Sequence, residues 1–320
     1  MKILRESVFE DAVGFIRARI PVIICTNTGA LIAYCELRKS DSDWAVIDIG
    51  MKKSTDGGKT WSERKILVSS GGRDTVNNPV MIADRSILHF VYCVNYREVF
   101  YMKSTDGGES WSRARNITED IRRSLNGFFF SCIAAGPTHG IKASSGRLIV
   151  PLWLAYNRTD PESHHPSVIC VMYSDDGGEN WKTGEICDKL KDASEFTAAE
   201  AGGKILLSIR HEGECRCRYM AELNKDCAIV NLYPQEELPD PVCCAGLLAS
   251  DSGFLFSNCA SAVSRTMLTL KRLDEKGRVT ESLLINEKGG YSDIAASPDK
   301  KTAYVLHEHE NVLICTAVKL

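Results

Sequence analysis

Three short segments of the chain share one template, Ser-x-Asp-x-Gly-x-x-Trp. They read STDGGKTW from Ser54 to Trp61, STDGGESW from Ser104 to Trp111, and SDDGGENW from Ser174 to Trp181. A repeat this specific implies an array of similar units, each burying its apolar faces against its neighbours. Every copy follows an apolar, β-rich run: AVIDIGMKK, EVFYMK and SVICVMY. Asp caps local backbone N–H groups and Gly accepts positive φ, so the pair suits a tight turn. The Trp then returns the chain to an apolar environment. Each copy therefore reads as a β-hairpin turn locked by its own side chains.

The copies begin 50 and then 70 residues apart. Two further segments keep the strand–turn form without the Trp: Glu222 to Asp226 after RCRYMA, and Leu273 to Gly277 after TMLTLKR. The turns then fall near 54, 104, 174, 222 and 273, and a unit of about 50 residues fits one four-stranded blade. Strand signals dominate elsewhere, as in VIICTN/ALIAYC, SILHFVYCV, GRLIVPLWLAY and TAYVLHE, and the best helical candidate is the short Glu119 to Leu125. The expected fold is all-β: a six-bladed β-propeller of four-stranded antiparallel blades, with the first and last strands sharing a blade. No Pro/Gly/Ser-rich linker divides residues 1–320, which read as one domain. The wider gap between the second and third copies is expected to hold a long loop near Asn157 to Pro166, on a face where propeller loops build sites.

Composition narrows the function classes. With 39 Lys+Arg against 42 Asp+Glu, the net charge of −3 gives no electrostatic case for nucleic acid or an anionic membrane. Arg5, Glu6, Glu10 and Asp11 occupy the region where a leader needs an apolar core, so a cytoplasmic protein is expected. Ile20 to Cys35 reads as two strands around a turn rather than a membrane span. The 13 cysteines follow no framework spacing and read as reduced, buried small hydrophobes. Cys215-x-Cys217, Cys243-Cys244 and His164-His165 lack a second ligand pair at zinc-site spacing, so neither metal nor other cofactor is expected. There is no Gly-x-Ser-x-Gly elbow, and the Gly pairs belong to turns rather than to a phosphate loop.

The repeated turn resembles the Asp-box of the sialidase (neuraminidase) superfamily, a structural motif that also occurs in propellers that hydrolyse nothing. Other segments resemble that superfamily in order along the chain. Arg19-Ile20-Pro21 is similar to the Arg-Ile-Pro motif that supplies the first of three carboxylate-binding arginines, with Ala18 where Tyr is usual. Glu36-Leu37-Arg38 is similar to a Glu-Gly-Arg-like segment followed by an Asp general acid. Asp43 stands in that position and Asp41 is its rival, the distance to the first Asp-box favouring Asp43. GPTHGIKASSGRLIVP resembles a Gly-Pro-rich family segment and sets register. Ser194-Glu195 before EAGGKILLSIR is similar to the Asn-Glu-Ser segment carrying a catalytic Glu and then the second Arg, here Arg210; Glu200 is the alternative acid. PVCCAG and the stretch beyond it lead to Arg265, the third Arg by resemblance, with Cys259 where Pro is usual. Tyr291-Ser292 resembles the motif of the sialidase nucleophile. Leu306-His307-Glu308 resembles a Leu-Tyr-Glu whose Glu pairs with the first Arg.

The resemblance implies an exo-α-sialidase, and the residue types suit that chemistry. Sialic acid carries a carboxylate on its anomeric carbon, and planar, permanently charged Arg19, Arg210 and Arg265 could grip it bidentately. A carboxylate nucleophile would repel that anion, whereas a neutral Tyr does not; sialidases are a recognised exception among glycosidases for this reason. Tyr291 would be the nucleophile, Glu195 its base and Asp43 the general acid/base, with Arg38 and Glu308 completing the binding set and the anomeric configuration retained. The implied partner is a sialylated oligosaccharide or glycoconjugate. A trans-sialidase, an intramolecular sialidase or a non-catalytic sialic-acid-binding propeller would share most of these residues.

Overall fold

The computed structural model describes residues 3–10 and 14–320; Asp11, among the charges read against a leader, lies outside them. The chain builds six antiparallel blades around a central axis. In the first five it starts at the axis and moves outward. Blade one is Arg17–Cys25, Leu31–Arg38, Ile47–Ser54 and Lys65–Val68. Blade two is Val76–Asp84, Ile87–Val94, Glu98–Ser104 and Arg115–Asn116. Blade three is Cys132–Ala135, Leu148–Ala155, Ser167–Ser174 and Lys182–Thr183, with Ile141–Lys142 as a second short inner piece. Blade four is Ala193–Ala201, Lys204–His211, Cys217–Leu223 and Ile229–Pro239. Blade five is Gly246–Ser250, Gly253–Cys259, Thr266–Leu273 and Val279–Lys288. Blade six is Ser292–Ala296, Thr302–His309 and Val312–Lys319, and Ile3–Phe9 supplies its outer strand, pairing Ile3 with Val318 and Phe9 with Leu313. The shared blade expected from the sequence is thus present.

All three Asp-boxes join the third strand of a blade to the fourth. In the first, Ser54 Oγ donates to Asp56 Oδ1 at 2.8 Å, and the Lys59 and Thr60 amides both donate to that oxygen at 3.0 Å. Gly58 N returns to Ser54 Oγ at 2.9 Å. These bonds hold the Asp56 carboxyl well below the usual carboxylate range, the Thr60 hydroxyl acting most strongly. The boxes at Asp106 and Asp176 repeat the pattern. Each Trp packs into the seam with the preceding blade: Trp61 near Tyr304 and Cys315, Trp111 beside Phe90 of its own blade in the apolar cluster shared with blade one, Trp181 beside Tyr101. The two worn turns keep the cap and drop the Trp. Asn224 Oδ1 accepts from the Asp226 and Ala228 amides, and Asp274 Oδ1 from Lys276 and Arg278. A sixth turn of this kind would fall between Lys319 and Ile3, where no turn connects the strands.

The second strands lie between blades and are covered on both faces, so they read as near-continuous apolar runs: Leu31–Arg38 and Leu148–Ala155 are buried at every position. Helix Thr118–Ser124 follows blade two, one residue from the sequence expectation at each end. Ten of the eleven free cysteines are buried, as expected of small hydrophobes. Cys215 and Cys217 depart from that reading. Their Cα atoms lie 5.5 Å apart at a hairpin tip, within disulfide reach, and the two are bridged. No helix among the described residues is long and apolar enough to cross a membrane.

Candidate active site

The inner strands begin at one mouth of the axis and end at the other. Residues at their starts, with the loops beyond the second strands, line a compact polar pocket. The geometry begins with Glu308. Its Oε1 accepts from Arg19 Nε at 3.0 Å and from the Ile20 amide at 3.3 Å, and its Oε2 accepts from the Tyr291 amide at 3.1 Å. One carboxylate therefore fixes an arginine and two backbone segments. Burial would raise its carboxyl, but the Arg19 guanidinium outweighs burial and holds it below the usual range. The approach is so close that a Cβ on Gly290 would collide with both the carboxylate and the Cβ of Glu308, so the position demands glycine. Ile20 sits at φ 57°, a costly conformation for a β-branched residue, within a register shift that turns Arg19 into the pocket.

Tyr291 stands at the centre. Its hydroxyl donates to Glu195, with Oε1 at 2.8 Å and Oε2 at 2.6 Å, while Arg210 Nη1 bonds both the hydroxyl, at 2.6 Å, and Glu195 Oε2. Burial holds the phenol well above its ordinary value and Arg210 offsets this only in part, so Tyr291 is neutral in the free protein. The Arg19 and Arg265 guanidinium carbons each lie 5.2 Å from its ring centroid, a cation–π distance. Arg265 is otherwise held by the Val242 carbonyl at 3.1 Å. Three guanidinium groups thus surround one tyrosine ring.

The other wall is built on Arg38, which is fully buried at the end of a strand whose remaining residues are apolar except Glu36. Its Nε and Nη2 donate to Glu36 Oε2 at 2.9 and 2.6 Å, and its Nη1 reaches Asp43 Oδ1 at 2.7 Å. Burial pushes the Asp43 carboxyl up, but Arg38 outweighs it and holds the group ionised. Asp43 lines the pocket with half its side chain exposed, whereas Asp41 pairs with Arg17 at 2.8 Å. Glu200 lies toward the opposite mouth, bonded to Ser144. All eight residues singled out from the sequence therefore converge, seven on the pocket and Glu308 directly behind Arg19.

Sequence reading passed over several lining residues. Asn78, at φ 51°, donates its amide to Glu36 Oε1 at 2.9 Å; its signal was an Asn pair inside a strand, since Asn tolerates left-handed backbone. Tyr96, Trp153 and His164 form an aromatic wall, with His164 4.7 Å from the Tyr96 ring and 5.1 Å from Trp153. The loop near Asn157 to Pro166 delivers His164 and His165 to this pocket, as the spacing of the boxes suggested. His165 also lies 3.3 Å from Glu212, which in turn holds Arg210 at 3.1 Å. Among the described residues, no group of three or more His, Cys, Asp or Glu could hold a metal.

Comparison with known proteins fits this architecture. The BNR repeat-like domain family matches residues 68–304, about three quarters of the chain, and a BNR/Asp-box repeat matches residues 52–63. A sialidase of Bacteroides fragilis is 28% identical over 91% of this chain and 59% of its own length. The chain spans about half to three fifths of the curated relatives at the head of that comparison. In fold it is similar to a Hadza microbial sialidase, with a TM-score of 0.84 and 23% identity over 99% of this chain and 68% of that one. The intramolecular trans-sialidase of Ruminococcus gnavus, solved with oseltamivir carboxylate, superposes with a TM-score of 0.80 and 15% identity over 98% of this chain and 97% of that one.

Proposed function

The chain belongs to the BNR repeat-like domain family, within the Asp-box sialidase superfamily, and on that premise we propose that it is a retaining exo-α-sialidase. The observation that carries the reading is the Tyr291–Glu195–Arg210 cluster beneath Arg19 and Arg265. A sugar whose carboxylate sits on the anomeric carbon brings that carbon over the Tyr291 hydroxyl when Arg19, Arg210 and Arg265 take the carboxylate. Tyr291 Oη attacks the anomeric carbon and its proton passes to Glu195. The bond to the aglycone breaks, and its oxygen takes a proton from Asp43. Water, deprotonated by Asp43, then displaces Tyr291, which recovers its proton from Glu195. Two inversions leave the configuration unchanged.

Asp43 is ionised in the free protein, so it must gain a proton before it can act as an acid. An incoming carboxylate supplies the reason, because a second anion in the pocket raises the Asp43 carboxyl. The test is hydrolysis of a fluorogenic α-sialoside by the wild type and by Tyr291→Phe, with the products from sialyl-lactose identified. Free sialic acid from the wild type, and a loss of at least about a hundredfold in the variant, are expected. Activity that survives in Tyr291→Phe removes the nucleophile. An anhydro product or a transferred sugar redirects the reading to the intramolecular or transfer reaction.

A further inference from the structure

The three arginines assigned to the substrate carboxylate are held in different ways. Arg19 is held from behind by Glu308, which is buried and also accepts the Ile20 and Tyr291 amides, so that pairing is a permanent part of the fold. Arg265 is held by the Val242 carbonyl. Arg210 Nη1 serves Tyr291 and Glu195, the two groups that must stay together for the nucleophile to lose its proton. The Arg210 Nε is buried without a partner in the protein. Nη2 is therefore the donor left for a substrate carboxylate. Glu212 already occupies it, with Oε1 at 3.1 Å.

Glu212 is not a buttress of the kind Glu308 is. It lines the pocket, its side chain is 35% exposed, and it opens the loop that follows strand Lys204–His211. Water solvates a part-exposed ion pair, so the Glu212–Arg210 pair is weak and exchanges at small cost. Glu195, with a side chain 10% exposed, cannot leave Arg210 without stranding a buried charge. Nη2 carries two N–H groups, but two carboxylates on one nitrogen lie close enough to repel strongly. An incoming carboxylate therefore competes with Glu212 directly. Glu212 also has a second place to rest. Its Oε2 lies 3.3 Å from His165 Nε2, on the long loop of blade three, and that histidine side chain is 42% exposed. The other ring nitrogen faces Asp192 at 3.6 Å, so Nε2 is the one that serves Glu212.

We propose that Glu212 is a displaceable counter-ion: it stands in for the substrate carboxylate on Arg210 in the free protein and passes to His165 when substrate arrives. The proposal rests on the sialidase reading, through the part Arg210 takes in gripping the carboxylate. Glu212 is a positioning residue, which keeps Arg210 turned toward Tyr291 in the empty pocket and sets affinity by having to leave. The test is a double-mutant cycle of Glu212→Gln, His165→Ala and the two combined. It is read by calorimetric affinity for sialic acid and by KM and kcat on a fluorogenic α-sialoside. Glu212→Gln keeps the shape while its neutral amide yields Arg210 more readily. Binding about fivefold tighter is expected, the size of one part-exposed ion pair, with KM lowered to match. His165→Ala removes the resting place and should weaken binding about threefold; in the Glu212→Gln background that loss should disappear. A merely structural role for Glu212 predicts weaker binding instead of a gain. Thermal unfolding reports whether each variant folds, and if His165→Ala does not, the sign of the Glu212→Gln effect decides. Equal or weaker binding in Glu212→Gln, or a His165→Ala loss of the same size in both backgrounds, overturns the proposal and leaves the sialidase reading standing. A wild type that neither hydrolyses a sialoside nor binds sialic acid overturns both.

Discussion

Asp43 and Tyr291 occupy opposite electrostatic situations in one pocket. Arg38 keeps Asp43 ionised, while burial keeps Tyr291 neutral. Under the proposed reaction the two depend differently on the leaving group. Asp43→Asn should cost about 10²–10⁴-fold in kcat/KM on sialyl-lactose, where the departing alkoxide needs a proton. On an aryl sialoside, whose phenolate leaves unaided, the loss should be far smaller; steady-state kinetics on both substrates checks this, and equal losses would remove Asp43 from the acid's role. The residues named from the sequence were legible because each sits next to a distinctive local signal: Pro21 after Arg19, Gly289 and Gly290 before Tyr291, and a fixed distance from a box for Asp43. His164 and Trp153 carry no such marker. They reach the pocket through ring contacts between separate elements, and those contacts exist only once the blades have closed. The buried His139–Asp293 pair escaped for the same reason, since its members lie 154 positions apart along the chain.

At the scale of elements, the Asp-box does two separable things. Its Ser and Asp close the turn, and its Trp seals the seam to the blade before. The worn turns at Asn224 and Asp274 retain the first without the second, so a cap alone suffices to form the turn. The Trp contribution should then appear as packing. Trp181 is 2% exposed against Tyr101 and the apolar cluster between blades two and three, and Trp181→Ala should cost about 3–5 kcal/mol in denaturant unfolding. Cap and turn are read from a few adjacent letters, which is why blade count and register were plain in the sequence. The Cys215–Cys217 bridge was not, because a two-residue spacing says nothing about whether a hairpin tip brings the sulfurs together.

For the whole molecule, ring closure buries histidines that titrate when the protein unfolds. His307 is fully buried against Thr316, and burial lowers its pKa from 6.5 to about 4. A lowered histidine contributes stability that is present above pH 6.5 and lost as pH falls toward 4, about 3 kcal/mol for a shift of this size. His139 runs the other way: its raised pKa contributes below its folded value and fades as pH rises. His307→Gln should therefore flatten the acid side of a plot of unfolding free energy against pH and leave the alkaline side unchanged. The blade that holds His307 is also the one the chain completes with its first strand. Ile3 pairs with Val318 and Phe9 with Leu313, so the outer ends of both strands lie together. A force applied through those ends meets the ladder one rung at a time, as when a zipper is drawn, instead of shearing all rungs together. Optical-tweezer extension from the two ends should peel Ile3–Phe9 away in a low-force first step, well before the remaining blades yield, so the closed ring has a weak point under tension at that one ladder.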